Sequence, residues 1–536
     1  MFASKDQFFT GTRGYQLTRS LRFRASASAY LNRTFGTPTG STKWTWSAWV
    51  KRGAQGGYQS LFAVGSAGTN YGYLQFDTSN RLWYRSVVSS AIAGDYVTSS
   101  VFRDPSSWYH VIAIYDSTNA TSGNRMQFYV NNNLQTTTVN TAITLNANSY
   151  LNTNGLVHYL CADNVGALQE FFDGYLGEIN FIDGQALTPS SFGQSDSATG
   201  VWVPKKYTGT YGNNGFYLPL TDTSSTTNLV KDSSGNGNNW TPNNISLTAG
   251  TTYDSMIDVP YCTGQINGTQ PSGNYPTLNP INKASAAAPT NANLQYSSGN
   301  YLVPATFTGV GKYYWECSYS SGACVFGVID SALTIPATTY LFSAGSSPSV
   351  CYYSATGARY LNGVSAAYGT AFATGVIVGI ALDNTASPPT IQFYNANTAQ
   401  GSITLSSPTG KYIPAVSDSG AGAVIDVNFG QRPFTYTPPS GYVALCAPNL
   451  TSTSITTSGS FTGNAASDGP FIYLNGNPTA MTINGNSVTF GTNADKLANG
   501  FKVRTSSASY NAAGSNTYSV TSTGAAFKYQ VAQTNP

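Results

Sequence analysis

Charge is scarce in this sequence. Of 536 residues, 25 are Lys or Arg and 22 are Asp or Glu, so charged residues make up 9% of the chain, against about 25% in an average soluble protein. The formal net charge is +3, and no basic cluster is visible. Nucleic-acid phosphates are bound by clustered Lys and Arg, so the composition argues against a nucleic-acid partner. It argues equally against docking to a membrane surface by charge.

Long apolar runs and heptads are also missing. The best apolar stretch, residues 375–382, has the length of a strand, whereas a membrane-spanning helix needs about 20 apolar residues. Without heptads no coiled coil is expected. Disorder is not expected either, because 13% of the residues are aromatic and supply enough apolar surface to bury.

Cysteine and histidine are few. None of the six Cys belongs to a Cys-x-x-Cys pair, so we expect free, buried thiols and no zinc site. The two imidazoles, His110 and His158, have no neighbouring nucleophile or carboxylate in a triad pattern. His110 lies in a strand-like segment, where a structural role is expected.

What the sequence does have is 54 Gly, 25 Pro and 37 Tyr in a background of Ser, Thr and Asn. This composition is typical of short strands joined by tight turns. Residues 44–50 alternate aromatic with small polar side chains, as a half-buried strand does. Similar segments recur at short intervals, and helical periodicity is nearly absent. The sequence therefore predicts an all-β fold of tandem antiparallel β-sandwiches.

The first sandwich resembles a known superfamily. The segments that carry the resemblance are, in order, residues 20–23, 46–51, 108–111, 126–131, 172–179 and 183–188. They are similar to the strands of a laminin-G/pentraxin-like domain of the concanavalin A-like lectin superfamily. The resemblance implies a two-sheet jelly roll.

That superfamily includes sugar-cleaving enzymes, which use a pair of carboxylates. Glu178, Asn180 and Asp183 mimic the Glu-x-Asp-x-x-Glu strand of related glucanases. The middle position is Asn180, and Asp183 begins an Asp-Gly turn, so the expected role of the segment is a last strand plus turn. Laminin-G-like domains often hold Ca²⁺ with loop Asp and Asn oxygens. No dense Asp cluster is visible, so no metal ligand or cofactor is assigned and Ca²⁺ stays open.

A second sandwich resembles a SPRY domain. Residues 311–317 are similar to the family's first strand, and the segments 325–328, 375–383, 391–395, 412–416 and 427–434 follow in family order. The resemblance implies a domain that binds partners through variable loops and has no catalytic role. Those loops would include residues 340–353 and the turn at 359–362.

Five residues of these loops are candidates for receptor binding, because Tyr and Arg give large contact areas at a low cost in conformational entropy. They are Tyr352, Tyr353, Arg359, Tyr360 and Asn362. The alternative is that they close the end of the sandwich or contact a neighbouring subunit.

The remaining segments complete the predicted organisation. A turn-rich stretch at 232–240 lies in an extended connector and looks like segments of tailed-bacteriophage proteins; its Trp240 is expected to be a buried plug rather than an exposed binding aromatic. Strand-like segments with Asn-Gly turns follow residue 450.

The predicted division is 1–14, an N-terminal anchoring arm; 15–203, the laminin-G/concanavalin A-like lectin domain; 204–293, the connector; 294–448, the SPRY-like sandwich; and 449–536, a small C-terminal β domain.

These resemblances imply a structural virion protein of a tailed bacteriophage: a fibre, a spike or a head decoration. It would bind a host-surface glycan or another receptor without catalysis, and would contact other virion proteins. The candidate virion anchor is Lys5, Asp6, Phe8 and Phe9. By analogy with fibres, a homotrimer is expected.

The expected location is the virion surface, after synthesis in the host bacterial cytoplasm, because the N-terminal residues lack the apolar core of a secretion signal. Two alternatives remain open. One is a polysaccharide-degrading enzyme that uses Glu178 and Asp183, and the other is a secreted bacterial adhesin.

Overall fold

The computed structural model describes most of the chain. Its described residues are 15–450 without 197–199, 261–267, 285–287, 298–300, 336–339, 344–347, 407, 409 and 420–421. Of residues 451–536 it describes the backbone of the strands. The candidate virion anchor, Lys5, Asp6, Phe8 and Phe9, lies outside the described residues.

The first sandwich is built from short antiparallel strands in two sheets. Its strands are β1 (Ser20–Phe23), β2 (Tyr30–Thr34), β3 (Lys43–Arg52), β4 (Gln59–Ala67), β5 (Asn70–Phe76), β6 (Leu82–Val88), β7 (Ala91–Thr98), β8 (Trp108–Asp116), β9 (Met126–Val130), β10 (Asn133–Leu134), β11 (Thr137–Thr141), β12 (Val157–Leu160), β13 (Asp163–Asn164), β14 (Leu168–Gln169), β15 (Gly174–Asp183), β16 (Gly193–Ser195), β17 (Trp202–Pro204), β18 (Phe216–Leu218), β19 (Thr241–Asn243) and β20 (Ser255–Met256). The first sheet has the order β10-β9-β8-β3-β15-β1-β20, with β18 also paired to β15. The second sheet has the order β11-β7-β6-β5-β4-β12-β2-β19. Outside these two sheets, β13 pairs with β14 and β16 pairs with β17.

Strand β3 shows why the two sheets pack. Trp44, Trp46, Ala48 and Val50 alternate onto one face and join the core between the sheets. The opposite face carries Lys51 and Trp49, and it is buried as well. The strand is therefore covered on both sides, and something outside the sandwich must cover its outer face.

The stretch expected to be an extended connector adds strands to both sheets. Strand β18 pairs with β15, β19 pairs with β2, and β20 pairs with β1. A one-turn helix, α1 (Thr226–Leu229), lies between β18 and β19. These strands are two or three residues long, too short to show a period of two in the sequence.

Trp240 is the buried plug that the sequence predicts. Its side chain is 2% exposed. The ring lies edge-on to Phe216, with centroids 4.9 Å apart, and edge-on to Phe35 at 6.3 Å. This contact fixes the turn-rich stretch to the core of the first sandwich.

The second sandwich begins at residue 295. Its strands are β21 (Gln295–Ser297), β22 (Leu302–Pro304), β23 (Phe307–Thr308), β24 (Lys312–Tyr319), β25 (Cys324–Asp330), β26 (Ser349–Tyr353), β27 (Arg359–Leu361), β28 (Val364–Ala366), β29 (Val378–Asp383), β30 (Thr390–Asn395), β31 (Thr398–Thr404), β32 (Tyr412–Asp418), β33 (Val424–Asn428) and β34 (Val443–Ala444). One sheet has the order β21-β33-β24-β29-β30-β31, with β34 beside β24, and the other has the order β22-β32-β25-β26-β27-β28.

The C-terminal part is also built from strands: β35 (Thr453–Ile455), β36 (Ser458–Asn464), β37 (Phe471–Asn475), β38 (Pro478–Ile483), β39 (Asn486–Ser487), β40 (Ala494–Leu497), β41 (Gly500–Val503), β42 (Ser515–Ser522) and β43 (Phe527–Thr534). They form one sheet of order β23-β43-β37-β41-β40, with β35 on β43, and another of order β36-β42-β38-β39. The all-β fold with a small C-terminal β part is confirmed.

One expectation drawn from a scarce residue type holds for the described part of the chain. Its cysteines are free and buried, namely Cys161, Cys317, Cys324, Cys351 and Cys446; Cys262 is outside it. Among the helices described, none is long and apolar enough to cross a membrane.

A fully buried ion pair holds the connector against the first sheet. Lys51 Nζ on β3 donates to Asp258 Oδ2 at 2.7 Å, and both side chains are 0% exposed. The ammonium group also donates to Asn274 Oδ1 at 2.9 Å and to the carbonyl oxygen of Tyr275 at 2.5 Å. Asp258 Oδ1 accepts from Trp108 Nε1 on β8 at 3.0 Å. Every proton of the ammonium group has an acceptor, which a buried charge requires.

We expect Lys51→Met to lower the free energy of unfolding by about 3–5 kcal/mol, because it leaves Asp258 buried without its partner. The matched control is Lys43→Met on the same strand. Lys43 pairs with Asp116 at 3.5 Å, but its side chain is 38% exposed, so its loss should cost less than about 1 kcal/mol. Urea unfolding of the full chain measures both, and equal effects of the two substitutions would contradict the assigned role of Lys51.

Candidate functional site

The structure divides the predicted receptor-binding residues between two faces of one sheet. Tyr352 on β26 is fully buried. Its ring contacts Phe372 at 4.9 Å and Phe393 at 5.4 Å between centroids. Its hydroxyl donates to the carbonyl oxygen of Thr370. Tyr352 is therefore corrected from a contact residue to a core residue, because the alternation along β26 turns it towards the interior.

Arg359 and Asn362 also differ from the expected contact set. Arg359 is paired in register with Tyr352, so it shares the face of Tyr352 rather than that of Tyr360. Asn362 has φ of +53° in the two-residue turn between β27 and β28. Its side chain accepts from the backbone N–H of Ser349 at 3.0 Å and donates to Ser406 Oγ at 2.7 Å. Asn362 is thus a turn residue, of the type that tolerates positive φ.

Tyr353 and Tyr360 belong to a chain of half-exposed rings, which we call the five-ring cluster: Tyr301, Tyr340, Phe342, Tyr353 and Tyr360. Successive centroids lie 5.7 Å apart for Tyr301 and Tyr340, 5.3 Å for Tyr340 and Phe342, 5.6 Å for Phe342 and Tyr360, and 6.3 Å for Tyr360 and Tyr353. The cluster lies at the outer side of the sheet that contains β26 and β27, and the exposed Val364 of β28 is at the edge of that sheet.

Sequence reasoning placed Tyr340 and Phe342 inside a binding loop without singling them out, and it missed Tyr301. Leu341 is buried while Tyr340 and Phe342 are half-exposed. This local alternation is a signal that the sequence offers. Tyr301 joins the cluster only through the fold, because it precedes β22 in the chain.

Glu178, a candidate of the enzyme alternative, is closed off from solvent. It lies in a bulge of β15, where the register with β3 shifts, and has φ of +52°. Its carboxylate is 3% exposed and accepts from the hydroxyls of Tyr15 at 2.8 Å and Tyr217 at 3.0 Å. Burial raises its pKa to about 7.

Asp183, the other candidate carboxylate, is saturated with structural hydrogen bonds. It is 1% exposed. It accepts from the backbone N–H of Thr39 at 2.7 Å and of Asn214 at 3.0 Å, and from Asn152 Nδ2 at 2.7 Å. These contacts tie three loops to the end of β15.

Both imidazoles are buried and neutral. Trp202 Nε1 donates to His110 Nδ1 at 2.8 Å, so the proton lies on Nε2, which donates to Ser47 Oγ at 2.9 Å. The ring of His158 stacks on Phe35, with centroids 3.7 Å apart. Burial lowers the pKa of each imidazole to about 3. These surroundings agree with the structural role expected for His110.

Two family models match the chain, one on each sandwich. The model described as the concanavalin A-like lectin/glucanases superfamily matches residues 25–191, and the SPRY-domain model matches residues 312–432. The chain carries a concanavalin A-like domain followed by a SPRY domain.

Several solved structures are similar to parts of this chain at low identity. A human SPRY domain is 14% identical and matches 25% of this chain and 94% of that one, with a TM-score of 0.20. A heptameric SAP-like pentraxin from Limulus polyphemus is 16% identical over 33% of this chain and 75% of that one, with a TM-score of 0.23. Stonustoxin is 17% identical over 28% of this chain, with a TM-score of 0.24, and the match spans 27% of the stonustoxin chain. No curated protein matches the chain.

Asp163 and Glu170 are two neighbouring acidic residues of the concanavalin A-like domain. Asp163 on β13 is 2% exposed, and its Oδ1 has no hydrogen-bond partner. Burial, and then the nearby carboxylate of Glu170, raise its pKa to about 7, and burial also raises the pKa of Glu170. Neither carboxylate has an ion pair with a Lys, Arg or His of the described residues. Oxygen ligands of this kind suit Ca²⁺, but the ion takes about six to eight of them, so the two carboxyl groups of Asp163 and Glu170 do not fit it. No group of three or more His, Cys, Asp or Glu that could hold a metal occurs in the described part.

The raised pKa of Glu178 predicts a pH dependence of stability. The pKa rises from 4.5 to about 7 on folding. The folded state therefore favours the protonated carboxyl, and stability falls as pH rises from about 4.5 to 7. Relative to Glu178→Gln, which stays neutral, the wild type should lose about 3 kcal/mol over that range. Urea unfolding of both proteins at pH 5 and pH 8 tests this, and a pH-independent difference would refute the assigned ionisation.

Proposed function

We propose that the chain is a non-catalytic structural protein of a tailed-bacteriophage virion, present as a fibre, a spike or a head decoration. It binds a host-surface glycan or another receptor through its SPRY domain. The concanavalin A-like and SPRY domains make the chain a β-sandwich binding module, and the observation that carries the receptor proposal is the five-ring cluster.

The cluster has the chemistry of a binding surface. Half-exposed Tyr and Phe rings bury further area on contact and lose little side-chain freedom, because each has two rotatable angles. Their mutual ring contacts fix them before a partner arrives, which lowers the entropy cost of binding. Tyr hydroxyls on such rings bond to the hydroxyls and amides of a glycan or a protein.

The proposal of a non-catalytic role is supported by the burial and the hydrogen bonding of the candidate catalytic groups. Glu178 and Asp183 are both enclosed, and their oxygens accept hydrogen bonds from other parts of the chain. A nucleophile or acid of a glycosidase must reach the glycosidic bond. The imidazoles of His110 and His158 are buried among aromatic rings, so they are poor candidates for a general base.

The partners follow from the same proposal. Residues 1–14 would attach the chain to other virion proteins, and a homotrimer would present three copies of the five-ring cluster. Three weak sites on one particle act with avidity that exceeds the affinity of each. The protein would then be located on the virion surface, after synthesis in the host cytoplasm. These elements rest on the resemblance to phage proteins.

The experiment is cell binding by the fluorescently labelled full chain, measured by flow cytometry on a panel of bacterial strains. Tyr360→Ala should reduce binding roughly 30-fold, because truncating a central aromatic residue costs about 2 kcal/mol. The matched control is Tyr394→Ala, which changes a half-exposed Tyr of β30 in the other sheet of the SPRY domain. Equal binding by Tyr360→Ala and the wild type would reject the five-ring cluster as the receptor surface.

A further inference from the structure

Three buried polar side chains, which we call the lysine triad, meet where the connector covers β3: Lys51, Asp258 and Asn274. Each is 0% exposed. Lys51 and Asn274 are 223 residues apart in the chain, and a parallel β-bridge between Asp258 and Gly273 places Asn274 beside Asp258. An amine, a side-chain amide and a carboxyl group are the nucleophile, the electrophile and the proton carrier of an amide-forming reaction.

The Asn274 side chain presents its carbonyl group to the lysine. Lys51 Nζ lies 2.9 Å from Asn274 Oδ1, and Cγ is bonded directly to that oxygen. Asn274 Nδ2 donates to the carbonyl oxygen of Ser106 at 2.8 Å, which fixes the orientation of the amide. The amine nitrogen and the carbonyl group are thus held together as an intramolecular reaction requires, and the amide nitrogen is engaged elsewhere.

Asp258 is placed to move protons for this pair. Its Oδ2 accepts from Lys51 Nζ at 2.7 Å, while its Oδ1 accepts from Trp108 Nε1 at 3.0 Å and from the backbone N–H of Tyr275 at 3.3 Å. Burial lowers the pKa of Lys51 and raises the pKa of Asp258. The interior therefore favours a neutral amine, which is the nucleophilic form of lysine, and a neutral carboxyl group.

Aromatic side chains close the lysine triad off from water. Trp108, Tyr175 and Tyr275 are all buried, and Lys51 Nζ lies 5.8 Å from the centre of the Tyr175 ring. Excluding water strengthens the interactions among the three polar groups, and it protects an amide bond formed there from hydrolysis.

We propose that Lys51 and Asn274 become joined by an isopeptide bond that the folded chain forms by itself. The bond links Lys51 Nζ to Asn274 Cγ, the bond between Cγ and Nδ2 breaks, and ammonia leaves. Asp258 is the catalytic acid and base. The reaction needs no oxidant, reductant or other co-reactant, because no atom changes its oxidation state.

The protons of the reaction balance within the triad. Asp258 takes one proton from the ammonium group, and the amine attacks Cγ while the carbonyl electron pair moves to Oδ1, which takes that proton. Asp258 then carries a second proton from Nζ to Nδ2. The carbonyl re-forms as ammonia departs, and the proton on Oδ1 returns to Asp258. Asp258 ends as a neutral carboxyl group, so the product no longer has two charges buried away from water.

This inference goes beyond the proposed function and does not depend on it. The bond would fasten the connector covalently to the central part of the first sheet, whatever the chain binds. Lys51→Met loses the bond as well as the ion pair, so the destabilisation expected for that variant becomes a lower bound.

Electrospray mass spectrometry of the denatured full chain tests the bond. We expect the wild type to be lighter than its sequence by one ammonia molecule, whereas Lys51→Met and Asn274→Ala should have the full mass of their sequences. Lys43→Met, which removes a partly exposed lysine of the same strand, should still show the loss.

Tryptic digestion locates the bond. Trypsin cleaves after Lys and Arg, so the wild type should yield peptide 44–52 joined to peptide 232–283. Fragment ions of the joined peptides should place the bond on Lys51 and Asn274. Asp258→Ala, with folding checked by circular dichroism, should keep its full mass.

Three results would overturn the proposal. A folded wild type with its full mass shows that no bond forms. Loss of water, with the bond located on Asp258, makes that residue the electrophile instead of Asn274. Loss of ammonia in a folded Asp258→Ala removes Asp258 from the reaction. The mass of the wild type and its joined peptides decide whether the bond exists without any variant, so a substitution that prevents folding leaves the test intact.

Discussion

The buried ion pair of Lys51 and Asp258 determines how the parts of this chain meet. Lys51 lies on β3, a central strand of the first sheet, and Asp258 follows β20 in the connector. Removing two charges from water costs several kcal/mol per ion, and only complete hydrogen bonding offsets that cost. Here the pair is completed by Trp108 on one side and by Asn274 and Tyr275 on the other. Any displacement of the connector from this path would therefore leave one of the two charges without its partner.

A second set of buried charges extends the same constraint to the SPRY domain. Arg22 on β1 and Arg24 both donate to Asp254 at 3.0 and 2.8 Å. Arg22 and Arg432 each donate to the carbonyl oxygen of Thr251, at 2.7 and 3.0 Å. One backbone carbonyl of the connector thus joins a strand of the first sandwich to the last part of the second. A chain with few charges thus places several of them in its interior.

The sequence could predict elements whose pattern is local. The alternation of Trp44 and Trp46 with Thr45 and Ser47 marks β3, and Trp240 has the size and neutral surroundings of a buried plug. The strands β18, β19 and β20 could not be predicted, because each has two or three residues and its partner is far away in the chain. Tyr352 and Tyr353 illustrate the same limit in the candidate site. Adjacent tyrosines point to opposite faces of a strand, and the sequence does not say which of them is turned towards the core.

Strand pairing between distant parts of the first sandwich also governs the order in which the chain can fold during synthesis. Strand β1 pairs with β15 on one side and with β20 on the other, and the acceptors of Lys51 follow β20. When only residues 25–191 and those before them have left the ribosome, the Lys51 ammonium group on the central strand is still exposed to water, and burying it without its acceptors would be costly. Such contacts of high sequence separation form late and slowly. The nascent domain must therefore remain open at this face until the connector emerges, and it closes when Asp258, Asn274 and Tyr275 become available.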